Sequence, residues 1–152
     1  VADARSGLPE HHKILFTAHS LPERVLVDDP YPDELQQSAA AVMDRIDLGD
    51  GASWSLGWQS AGRTPEPWRG PDILEIIREA GETDGVDGVL VCAQGFTADH
   101  LEVLFDLDIE ATAVADEVGL AFARTRSLND DPQVMAALAD LVIVCAADDG
   151  VV

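Results

Sequence analysis

The chain has 152 residues, and its 29 Asp or Glu against 9 Lys or Arg give a formal net charge of −20. No basic stripe is present to release counterions from a phosphate backbone, which excludes ordinary nucleic acid binding and disfavours anionic membrane surfaces. Hydrophobic residues nonetheless make up 47 % of the chain, enough for one sizeable core at single-domain length, so the acidity does not signal disorder.

The opening VADARSGLPEHHK lacks the apolar centre of a signal peptide, and no stretch reaches the roughly 18 apolar residues of a membrane span. A cytoplasmic protein with no transmembrane segment is expected. Residues 1–12, with His11 and His12, read as a flexible, solvated start or an interdomain remnant. The first residue is Val and the first clear element begins only near Lys13, as in the interior or tail of a longer polypeptide.

Ile14 to Ala18 is an apolar run too short for a helix, and it ends in the polar His19-Ser20 as a buried strand opening into a loop would. Helical spacing of Leu35, Ala39, Val42, Met43 and Ile46 predicts a helix over 33–46, with Asp33 as its cap. Leu48 to Ser53 reads as a turn, and Trp54 to Gln59 alternates like a strand. A Pro- and Gly-rich loop holding Trp68 follows. Asp72 to Ala80 reads as a short amphipathic helix, Val89 to Ala93 as the clearest buried strand, and Asp99 to Val118 as a long helical pattern stopped by Gly119. A short strand at Leu120 to Arg124 precedes a last helix, capped at Asp131-Pro132 and ending near Val144.

This alternation of continuous apolar strands with helices predicts an α/β fold, a parallel sheet covered by helices on both faces. In such sheets a site lies at the carboxyl ends of the strands. Polar residues gather there: His19-Ser20, Gln59-Ser60 and the stretch from Gln94 to His100.

Glu102, Asp106 and Glu110 are each four residues apart and line one helix face, with no Lys or Arg between Arg78 and Arg124 to offset them. They form either a solvated face or a hydrated cation path, in which carboxylates spaced along a helix pass a divalent metal without caging it. His19, at a strand end, is either a structural loop residue or a group that accepts protons or ligates metal. His100 reads as a supporting residue. Trp68 either walls a site for a flat apolar ligand or covers the sheet edge. Cys92 and Cys145 have apolar neighbours and no metal-ligand spacing, so both are expected to be buried and inert. Neither GxGxxG nor GxxxxGK[ST] occurs, and nucleotide binding is not expected.

The segments TAHSLPE (17–23), DPYPDEL (29–35), WQSAGRTPEPWRGPDI (58–73), QGFTADHLEVLFDLDIE (94–110) and SLNDDP (127–132) resemble, in order, those of ferrochelatases. The closest likeness is to the coproporphyrin ferrochelatases of Gram-positive bacteria. It covers Lys13 to Val144, and it corresponds to the second of the family's two similar Rossmann-like domains, over residues 13–146 with a tail at 147–152. The resemblance implies Fe²⁺ insertion into a porphyrin, coproporphyrin III here, with Fe²⁺ as the substrate metal and a missing N-terminal domain as partner. It puts the catalytic pair at His19 and Glu102, and metal contacts at those two with Asp106 and Glu110. Trp68, Ser20 and Gln59 become the porphyrin-contacting candidates, and a widened π turn is implied behind Glu102. Some relatives carry a [2Fe-2S] cluster, which Cys92 and Cys145 alone cannot build. The alternative reading is a non-catalytic fragment or split half that holds porphyrin or metal without turnover.

Overall fold

The computed structural model describes residues 1–46 and 53–148. In chain order the elements are α1 (Ala2–Arg5), β1 (His12–His19), a 3-10 turn (Glu23–Val25), α2 (Tyr31–Met43), β2 (Ser53–Gln59), α3 (Ile73–Gly81) and β3 (Gly88–Cys92). There follow α4 (Leu101–Phe105), a π-helical turn (Asp106–Ala111), α5 (Thr112–Glu117), β4 (Ala121–Arg124) and α6 (Pro132–Asp148). All three strand pairings are parallel, in the order β2-β1-β3-β4.

Period-two alternation on β1 and β3 divides the core into two layers. Leu15, Val89 and Val91 face α3 and the acidic helical stretch, meeting Ile73, Ile77, Val103, Leu107 and Ala115. Ile14, Phe16 and Leu90 face α2 through Ala39 and Met43. Ile14, Leu15 and Phe16 are fully buried, each contributing about 1.5–3 kcal/mol of transfer free energy. These layers leave the carboxyl ends of the central strands as the open rim of the sheet.

Several boundaries differ from those read in the sequence. α2 begins at Tyr31, because Asp29 rather than Asp33 accepts the Tyr31 N–H at 2.8 Å. Residues 1–12 are not a loose remnant: α1 forms, Val1, Ala4 and Leu8 pack against the α2 layer, and His12 is 3 % exposed. α6 is capped by Asp131, which accepts from Gln133 N at 2.9 Å, but the helix continues to Asp148, past the expected end near Val144. Cys145 lies exposed on α6, whereas burial raises the pKa of the half-buried Cys92 thiol. Apolar neighbours imply burial only where a second layer covers them, and among the described residues none covers α6: Leu138, Leu141, Val142, Ile143 and Val144 are 50 to 67 % exposed. The turn expected at Leu48–Ser53 falls outside the described residues except for Ser53, which opens β2.

Candidate functional site

Backbone hydrogen bonds tie three loops together over the carboxyl ends of β1, β2 and β3. Ser20 N donates to Gln59 O at 2.7 Å, Arg69 N to Leu21 O at 2.9 Å, and Gly95 N to Thr17 O at 2.9 Å. A glycine is required at 95, since a Cβ there would fall 2.6 Å from the Ala18 Cβ.

His19 closes β1 beside Gln59. Its Nδ1 lies 2.5 Å from Ser20 O. A carbonyl can only accept, so the neutral ring carries its proton on Nδ1 and keeps the lone pair on Nε2. That nitrogen lies 3.7 Å from Glu102 Oε1, with the two side chains 35 % and 48 % exposed. Ligands each about 2.1 Å from one cation can stand no more than about 4.2 Å apart, so the pair is close enough to bind one metal ion between them, whereas 3.7 Å is too long for a hydrogen bond.

Burial of Val103, Leu107 and Ala111 fixes the rotation of the acidic helical stretch. Glu102, Asp106 and Glu110 consequently occupy the adjacent face. In an α-helix four residues overshoot a turn of about 3.6, whereas in the wider π turn they fall short of one. The π turn from Asp106 therefore swings Glu110 back toward the line set by Glu102. Thr112 Oγ1 donates to Leu107 O, five residues back, at 3.2 Å within this widened geometry.

Asp106 accepts hydrogen bonds from Ser60 Oγ and from Gln59 Nε2, the latter at 3.3 Å. Ser60 adopts φ +59° to aim its hydroxyl, a backbone region uncommon for residues other than glycine. Gln59 Oε1, beside the same carboxylate, is buried with no hydrogen-bond partner. Asp106, Glu110, Ser60, Arg63, Asp72 and Phe105 are among the residues lining a cavity of about 310 Å³, and neither His19 nor Glu102 lines it. Among the described residues no three or more His, Cys, Asp or Glu side chains are grouped to hold a metal ion. The arrangement is an open row rather than a closed cage.

The remaining sequence candidates divide. Ser20 is buried and its Oγ donates to Arg69 O at 2.7 Å, so its hydroxyl proton holds the loop after β2. Gln59 is equally buried and serves Asp106. Trp68 pairs with Pro22 in an isolated antiparallel bridge, donates Nε1–H to Thr64 Oγ1 at 2.8 Å, and covers Gly62, where a Cβ would lie 2.3 Å from the ring. The indole therefore belongs to the loop fastened next to His19. His100 is exposed and rests on Phe96, centroids 5.1 Å apart. Sequence reasoning placed Ser60 at the strand ends without giving it a role, and it missed Arg124. Arg124 was detectable as the first cation after Arg78, at the end of a strand beside an acidic helix.

The ferrochelatase family model matches residues 1–144. The coproporphyrin III ferrochelatase of Geobacillus kaustophilus is 39 % identical over 150 residues, covering 95 % of this chain and 46 % of that protein. The ferrochelatases of Herpetosiphon aurantiacus and Thermus thermophilus are 47 % and 48 % identical, over 85 % and 84 % of this chain and 41 % and 39 % of those proteins. The chain thus spans less than half the length of these relatives.

Proposed function

The chain belongs to the ferrochelatase family, and on that premise we propose that it supplies the catalytic half of a cytoplasmic enzyme that inserts Fe²⁺ into coproporphyrin III. The observation that carries this reading is the unspent Nε2 of His19 facing Glu102 at 3.7 Å, at the head of an acidic row. Insertion breaks two pyrrole N–H bonds, forms the metal–nitrogen bonds with the porphyrin dianion, and releases two protons. His19 Nε2 and the Glu102 carboxylate take up those protons. Asp106 and Glu110 hold hydrated cations in single file toward that pair, and drain protons the other way. Trp68, on the loop bridged to Pro22, packs against the macrocycle.

The partner is a first half of similar fold, with residues 13–146 forming the second domain. α6 supports this. A helix apolar on all sides belongs in a core, and the relatives carry more than as much chain again. Because α6 is uncovered in the 152-residue chain, a split half that binds without turnover is the competing reading.

The test compares the longest natural polypeptide containing this segment with the 152-residue chain, following Fe²⁺ or Zn²⁺ insertion into coproporphyrin III by absorbance. Insertion by the long form and none by the short one is the expected result. In the long form a thiol reagent should fail to label Cys145, which it labels in the short one, while Cys92 resists in both. A long form that binds coproporphyrin III but leaves it metal-free overturns the chelatase reading in favour of the binding one.

A further inference from the structure

The acidic stretch from Asp99 to Glu117 contains no Lys or Arg, yet one cation from another element serves it. Arg124, the last residue of β4, has a side chain only 14 % exposed. Its Nε donates to Asp108 Oδ1 at 2.6 Å and its Nη2 to Asp108 Oδ2 at 3.0 Å, a two-bonded fork onto the π turn. Its Nη1 donates to Asp99 Oδ1 at 3.3 Å and to Thr125 O at 3.1 Å. Asp99 also accepts from Ser127 Oγ at 2.8 Å and Asn129 Nδ2 at 3.1 Å, while its own N–H donates to Asn129 Oδ1 at 2.9 Å. Asn129 holds φ +49°, where asparagine is tolerated better than most residues, and its N–H donates to Thr97 O at 2.8 Å.

An exposed, single-bonded ion pair would do little. This one is bidentate, with the arginine side chain enclosed although Asp99 and Asp108 are 35 % and 40 % exposed, and it grips the chain on both sides of Glu102 and Asp106: at Asp99, ahead of α4, and at Asp108, inside the π turn. Neither anchor lines the cavity occupied by Asp106 and Glu110. We infer that Arg124, with Asn129 as its second clamp, is a positioning residue that fixes Glu102 opposite His19 and holds the π turn in register. The Arg fork suits this because lysine offers a point charge and cannot bridge both carboxylate oxygens with parallel bonds.

The catalytic consequence rests on the chelatase reading, whereas the positioning does not. The experiment uses the long natural polypeptide with Arg124→Lys, which keeps the charge and loses the fork, and Asn129→Gly, which keeps the backbone conformation accessible and loses the amide. For Arg124→Lys, kcat for metal insertion should fall by about tenfold or more, with the KM for coproporphyrin III and the thermal midpoint almost unchanged. Amide hydrogen exchange over residues 101–107 should accelerate about tenfold, with β1 and α3 as before. Asn129→Gly should show the same pattern, weaker. Unchanged exchange over 101–107 in both variants overturns the inference whatever the rate does, and so does a raised KM at constant kcat. If the parent protein inserts no metal, the chelatase reading fails alone and the exchange measurement still decides the positioning.

Discussion

His12 and His19 open and close the same strand, and in both a backbone carbonyl claims Nδ1. His12 is 3 % exposed; its Nδ1 donates to Pro9 O at 2.8 Å and Glu10 O at 3.0 Å, and its Nε2 accepts from Arg5 Nε at 3.1 Å. His19 instead presents Nε2 to a carboxylate oxygen, which cannot donate when ionised. The difference lies wholly in what meets the second nitrogen. A donor there turns an imidazole into a structural clasp, while an acceptor leaves its lone pair unspent. In a parallel sheet the open carboxyl rim is where that second situation can persist.

The comparison breaks most visibly at Glu102. Glu102→Gln replaces the carboxylate base opposite His19 with a neutral amide and should reduce metal insertion by the long polypeptide about 100-fold or more, with porphyrin binding retained; near-parental turnover would show that the pair is not the reacting centre. His12→Ala acts on the other end. It leaves the carbonyls of Pro9 and Glu10 without their donor and should destabilise the fold by about 1–3 kcal/mol, read by chemical denaturation, while turnover per folded molecule stays constant. A loss of turnover at full stability would erase the distinction between the two histidines.

A smaller effect comes from Asp99, two residues ahead of α4. Hydrogen bonds from Asn129 and Ser127, then the Arg124 charge, hold its carboxyl below the usual range. A folded-state pKa below the unfolded value of about 3.9 stabilises the fold above that pH and loses the contribution as pH falls through the folded value. The stability gap between the parent and Asp99→Asn should therefore be full near neutrality and close on acidification below about pH 4. A pH series of thermal midpoints with a constant gap would contradict it.

Much of this was legible in sequence because the signals are local. The continuous apolar runs of β1 and β3, the 3.6-residue spacing of α3, and the four-residue spacing of Glu102, Asp106 and Glu110 all depend on neighbours along the chain. What escaped depends on distant ones. His12 is buried because Arg5 and the α1 segment fold back over it. Ser20 is buried and donates its hydroxyl proton to a carbonyl 49 residues away. The role of Arg124 escaped because this cation sits on the next strand, 16 residues beyond the Asp108 it holds. Cys145 looked buried because α6 has the composition of a core helix without its cover.

The most direct measurement is the rate of Zn²⁺ or Fe²⁺ insertion into coproporphyrin III by the long polypeptide and its His19→Ala variant, with porphyrin affinity determined by fluorescence quenching on the same samples. Insertion lost with affinity intact is the outcome that follows from an unspent Nε2 at the carboxyl rim. Undiminished insertion by His19→Ala would contradict it and return His19 to the structural role that His12 plays.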